Sequence, residues 1–146
     1  MERRIWVAAF APLLLLACVT ATSPAPGELN VRPFCVQRPG DAEAICYVSF
    51  VQLLAHPERF HGKQVQVIGY MSLREEDNAL YLSNELADHG ASQDAFWLDI
   101  TGEPDVETGW VVVRGLFNAE RRGHLGLYAG TIEQIVRLER WEERQR

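Results

Sequence analysis

Three cysteines, four histidines and two acidic runs are the side chains of this 146-residue sequence whose types invite chemistry. Cys18 ends the uncharged run 5–17, while Cys35 and Cys46 lie further on, separated by Val36 to Ile45. A thiolate acts as a nucleophile or metal ligand when a cation, a His or a helix start lowers its pKa. Neither Cys35 nor Cys46 has a Cys-x-x-Cys partner or a His beside it. His56, His61, His89 and His124 lack the close spacing of a zinc motif, and His56 with His61 around Pro57 makes at most an incomplete ligand set. Glu75-Glu76-Asp77 and the stretch 99–107 offer oxygens, yet Asp99-Ile100-Thr101-Gly102-Glu103 departs from the alternating acidic positions of a calcium loop. Gly-x-Ser-x-Gly, phosphate-loop and dinucleotide fingerprints are missing from the sequence. No residue is therefore assigned a catalytic, metal or cofactor role, and the expectation is a non-enzyme.

Cys18 has a different context. Glu2, Arg3 and Arg4 precede its apolar run, which matches the start and core of a secretory signal. The run is shorter than the roughly 20 residues that span a bilayer, and Pro12 interrupts it. Leu15-Leu16-Ala17-Cys18 resembles the lipobox of bacterial lipoproteins, in which the cysteine thiol receives a diacylglyceryl group before cleavage makes that cysteine the N-terminus. Leu15, Ala17 and Cys18 match; Leu16 is bulkier than the small residue usual there. Val19-Thr20-Ala21 offers an ordinary signal peptidase a second site, which would discard Cys18. The lipid anchor explains a lone cysteine at the end of the apolar core, and it organises the chain. Residues 1–17 become the cleaved signal, 18–33 the lipidated Cys18 and a tether containing Ser23, Pro24 and Pro26, 34–141 the domain, and 142–146 a charged tail. Val19 rather than Asp follows the anchor, so the resemblance implies the periplasmic side of an outer membrane.

Export places Cys35 and Cys46 in an oxidising compartment, where an even pair reads as one disulfide around the turn Pro39-Gly40-Asp41. Two buried thiols are the alternative. The sequence carries 14 Lys and Arg against 20 Asp and Glu; without Glu2, Arg3 and Arg4 the balance is 12 against 19, or −7. That sign opposes a phosphate backbone, so nucleic acid is disfavoured as a partner.

The elements that must position any site follow from periodicity. Val48-Ser49-Phe50-Val51-Gln52-Leu53 has the form of a capped helix start, with Ser49 as cap, Gln52 reaching back and Val48 stapled to Leu53. Pro57 ends that short helix. From Lys63 the period becomes two, with Val65, Val67 and Met71 inward against Gln64, Gln66 and Tyr70. Ala79 to Ser83 turns Leu80 and Leu82 inward, Ala95 to Ile100 turns Phe96, Leu98 and Ile100, and Trp110 to Phe117 turns Val111, Val113 and Phe117. A fifth run, Leu125 to Leu138, carries Gly126 and Gly130 at a bend or bulge. The prediction is a mainly β domain: a five-stranded OB-like small barrel or highly curved sheet with one short N-terminal helix. Gly69 and Gly115 fall at inward positions where a side chain would hinder coiling.

The stretch 48–141, with Gly62-Lys63-Gln64-Val65-Gln66-Val67-Ile68-Gly69, Ala79-Leu80-Tyr81-Leu82-Ser83 and Gly130-Thr131-Ile132, resembles a group of uncharacterised bacterial lipoproteins and exported proteins with an OB-fold-like domain. The resemblance implies a fold and supplies no catalytic residue. Tyr70, Tyr81, Trp97 and Trp110 occupy the outward parity of four successive strands, where rings can stack on sugars, bases or side chains. OB-type barrels bind across strands two and three between two loops. Here those loops are acidic (74–78) and basic (118–124), so the expected ligand site is Tyr81 and Trp97 with Arg121 and Arg122. The plain alternative is that other segments cover the rings and the loops pair with each other. A binding or interaction module for an envelope protein, peptide or glycan follows. A hydrolase or metal-dependent enzyme acting on an envelope polymer has the scattered His and acidic residues for support. A nucleic-acid-binding OB domain has fold analogy alone.

Overall fold

A computed structural model describes residues 34–40, 42–74, 77–102 and 104–142. The signal segment, Cys18, the tether, Glu75 and Glu76 lie outside the described residues. The strands are β1 (Phe34–Val36), β2 (Ile45–Tyr47), β3 (Lys63–Arg74), β4 (Asp77–Tyr81), β5 (Ala95–Leu98), β6 (Gly109–Asn118) and β7 (Gly130–Arg140). Two short helices, α1 (Phe50–Ala55) and α2 (Asn84–Asp88), sit between them.

The sheet runs in the order β1-β2-β3-β4-β5-β7-β6, and β6 pairs again with β3. That last pairing closes β3, β4, β5, β7 and β6 into a five-stranded OB-like barrel. Neighbours in the ring are antiparallel except β5 and β7, which run parallel from Phe96↔Gly130 to Leu98↔Ile132. The β1–β2 hairpin lies outside the ring, with β2 added parallel to β3. Cys35 and Cys46 are register partners in that hairpin and form a disulfide with an S–S length of 2.03 Å.

Closing so few strands demands strong coiling, and glycines permit it where strands crowd. A Cβ on Gly69 would lie 2.7 Å from the Tyr81 carbonyl oxygen of β4. One on Gly115 would lie 2.7 Å from the Glu133 carbonyl oxygen of β7. Opposite Gly115 the β6–β7 register shifts, from Arg114↔Arg137 to Leu116↔Glu133, and β7 bulges with Gln134 at φ +49°.

The barrel interior is filled by the inward residues of the alternating strands, Val65, Val67, Met71, Leu80, Phe96, Leu98, Val111, Val113, Phe117 and Ile132, all buried. Helix α1 plugs one end with Phe50 and Leu53. Its start is the predicted capping box: Ser49 Oγ accepts from the Gln52 amide, and Gln52 Oε1 accepts from the Ser49 amide. Phe50 packs on Phe96 at 4.9 Å between centroids, and Phe96 meets Phe117 edge-on at 5.4 Å.

Three expectations change. Strand β4 stops at Tyr81, so Leu82 follows the strand and is exposed instead of facing inward. The fifth barrel strand starts at Gly130; before it lies a short turn of 3-10 helix with Leu125 in the left-handed region and exposed. A second helix, α2, follows the Ser83 cap, whose hydroxyl accepts from the Leu86 amide. Among the described residues, no helix is long and apolar enough to cross a membrane.

Candidate functional site

The expected ligand face, the outside of β4 and β5, is occupied by the chain itself. Small outward residues, Ala79 on β4 and Ala95 on β5, let α2 and the segment 123–128 approach the sheet, and Ala87 of α2 packs with them. Tyr81 and Tyr128 fill this second core, with Tyr70, Leu86 and Trp97 partly buried against it. Tyr81 keeps only 1% of its surface exposed, which removes it from the expected exposed ligand face. Trp97 is half-buried: its ring packs on Tyr128 at 5.3 Å and stacks on His124 at 6.3 Å, while Gly123 lies directly against it.

One carboxylate ties the layer together. Asp77 Oδ1 accepts from the hydroxyls of Tyr81 at 2.7 Å and Tyr128 at 2.8 Å, and its Oδ2 accepts from Ser72 at 2.9 Å. Burial, then the Asp77 carboxylate, pushes both tyrosine pKa values above the ordinary phenol range. The three donors compensate the partial desolvation of the carboxylate, and the bond from Tyr128 fastens the 123–128 segment to the barrel.

The basic loop is likewise engaged locally. Arg121 Nη1 lies 2.6 Å from Asp99 and 3.1 Å from Glu133, and these bonds raise its pKa. Its backbone carbonyl accepts from Thr131 Oγ1 at 2.6 Å. Arg122 is exposed, and its carbonyl accepts from the Tyr128 amide. The charged loop therefore secures the covering segment to β7 and to the end of β5, and the residues Tyr81, Trp97, Arg121 and Arg122 do not converge on an open cleft.

The histidines are dispersed. His61 Nδ1 accepts from the Ala119 amide, whereas His56 lies 3.9 Å from Glu58. Among the described residues, no three His, Cys, Asp or Glu side chains gather to hold a metal ion.

The open face lies elsewhere, on the outside of β3, β6 and β7, where cross-strand register sorts the outward side chains into rows. The first row is aromatic: Tyr70 pairs with Trp110, and the Trp141 amide donates to the Trp110 carbonyl. Tyr70 and Trp110 meet edge to face at 6.1 Å. The second row is Ile68, Val112 and Glu139. The third is Gln66, Arg114 and Arg137. The apolar rows run into a groove of about 510 Å³ bounded by Tyr47 to Val51 on one side and Leu82 on the other, with Gln66, Ile68 and Trp110 in its lining. Four of its residues are large apolar side chains held in solvent: Val51 is 58% exposed, Ile68 36%, Leu82 40% and Trp110 43%.

Sequence parity found Tyr70 and Trp110 on the outward side but not the groove, because Val51 and Leu82 reach it from α1 and from beyond the end of β4. The guanidinium row was equally hidden. Arg114 and Arg137 become neighbours only through β6–β7 pairing.

Fold and site together define a small OB-like barrel with its strand-two and strand-three face packed and an apolar groove open beside β3 and β6. No family model, curated protein or solved structure matches the chain.

Proposed function

We propose that the chain is a membrane-anchored periplasmic lipoprotein whose barrel serves as a binding or interaction module for an envelope protein, peptide or glycan. Export and anchoring follow from the signal pattern and Cys18. The observation that carries the binding role is the groove, where Val51, Ile68, Leu82 and Trp110 leave apolar surface in water on a single face. Exposed apolar side chains scattered singly are ordinary; gathered in one concave patch they mark a surface that another molecule covers. A groove of this size also falls within the range of small-molecule sites.

The test is capture from detergent-solubilised envelope by the immobilised domain, compared with the double variant I68D and L82D. Both positions are exposed, so the barrel should melt as before. Selective loss of a captured species from the variant supports the role; identical capture by both proteins overturns it.

A further inference from the structure

The outer face of β3, β6 and β7 is graded in chemistry along the strands, and the grading points to one kind of partner. At one end stand Tyr70, Trp110 and Ile68, and four residues along β3 lies Gln66, flanked by Arg114 and Arg137. Two guanidiniums converge on this single neutral oxygen: Gln66 Oε1 accepts from Arg114 Nε at 3.1 Å and Nη2 at 2.8 Å, and from Arg137 Nη1 at 3.4 Å. A third, Arg38, donates to the hydroxyl of Tyr47, which lines the same groove as Gln66. Like charges directly opposite across a strand pair are unfavourable, and the amide oxygen itself adds no negative charge between them. The acidic groups facing the cluster are Glu139, 2.7 Å from Arg137, and Glu43, which lines the hollow beside Arg114. Glu139 thus answers Arg137 by a hydrogen bond and Arg114 by its nearby charge, while the hydrogen bonds from Arg114 go to the Gln66 amide. A guanidinium row on a chain with an acidic excess is a local reversal of sign.

We infer that this face takes an extended peptide segment of a partner protein carrying an acidic side chain next to large apolar ones, the carboxylate on Arg114 and Arg137 and the apolar residues against Ile68 and Trp110. The inference rests on the reading of this face as the binding surface. Charge complementarity selects the acid. Exposed Trp110 and half-buried Tyr70, Arg114 and Arg137 are of the types that dominate protein-recognition energetics. Strand geometry selects the spacing: four residues at roughly 3.3 Å each separate the aromatic row from the arginine row by about 13 Å. An extended peptide lying along β3 therefore places its acid two to four positions from the apolar residue it buries.

The experiment selects displayed random peptides on the folded wild-type domain and measures the enriched fluorescein-labelled peptides by anisotropy. Enriched sequences should share Asp or Glu two to four positions from Trp, Phe, Leu or Ile. R114Q should weaken them at least about tenfold, as expected for loss of a charge-assisted contact, and I68D should abolish binding; thermal melting confirms that both variants are folded. Enriched peptides without an acid, or equal affinity for R114Q, would overturn the partner chemistry while loss on I68D still upheld the face as a binding surface. Failure to enrich any peptide overturns the peptide class, as does use of the face instead for a concentration-dependent dimer or for phosphatidylglycerol vesicles. Failure of envelope capture as well would overturn the underlying reading.

Discussion

Tyr128 donates its hydroxyl to Asp77 at 2.8 Å, on the same carboxylate oxygen that receives Tyr81 at 2.7 Å. The bond joins a residue just before β7 to the first residue of β4, and so fixes the covering segment over the barrel face where an OB-type ligand would otherwise lie. Hydrogen bonds to charged groups contribute roughly 1.5–3 kcal/mol. Tyr128→Phe should therefore lower unfolding free energy by about 2 kcal/mol in urea titrations. An unchanged midpoint would show that the Asp77 network does not hold the layer in place.

Alkaline pH should act on the same pair. Both phenols have pKa values raised in the folded state, mainly by burial and then by Asp77. Below about pH 10, the value in an unfolded chain, each state keeps the protons and the contribution is fully present. Above it the unfolded chain ionises first, so stability falls as pH rises towards the folded values, by up to about 1.4 kcal/mol per pH unit for each tyrosine. Denaturant titrations from pH 9 to 11.5 should show this fall in the wild type. They should show a shallower one in the double variant Y81F and Y128F. Parallel slopes would contradict the assignment.

Gly123 should be intolerant for two reasons, and Gly90 supplies a comparison without the contact. Its backbone, at φ +60° and ψ −151°, is in a region essentially reserved for glycine, and an added Cβ would collide with Trp97. Gly90 also has a positive φ, +63°, but nothing lies within 4 Å of its Cβ position. Gly123→Ala should cost at least about 2 kcal/mol and alter Trp97 fluorescence, against roughly 1 kcal/mol for Gly90→Ala. Equal costs would mean that contact with Trp97 contributes nothing.

The barrel was legible in the sequence because the inward residues of β3, β5 and β6 alternate, and α1 because Ser49 and Gln52 carry a local capping signal. Helix α2 was not, since its five residues are too few to display a period. Parity correctly turned Tyr81 away from the barrel interior, yet outward and exposed are different properties. Exposure depends on which distant segment lies on top. The trace of that covering in the sequence is Ala79 and Ala95, whose small size on outward positions leaves room for α2 and Tyr128. Arg114 and Arg137 are brought together by a register that shifts by two residues across the β7 bulge, a feature no local pattern announces.

The proposed anchor has its own test. Cys18→Ser should abolish incorporation of labelled palmitate and leave the precursor unprocessed, as followed by fluorography and intact mass. Equal labelling of variant and wild type, or a mature chain beginning at Thr22, would contradict it.

The binding account is tested most directly by photo-crosslinking the full-length protein in cells. A photoreactive residue is placed in turn at Ile68 and Leu82 in the groove, and at Gln93, exposed in the short turn after α2. The account predicts a discrete protein adduct from positions 68 and 82 that Arg114→Gln diminishes, and none from position 93. Adducts from position 93 alone, or none from either groove position, would contradict it.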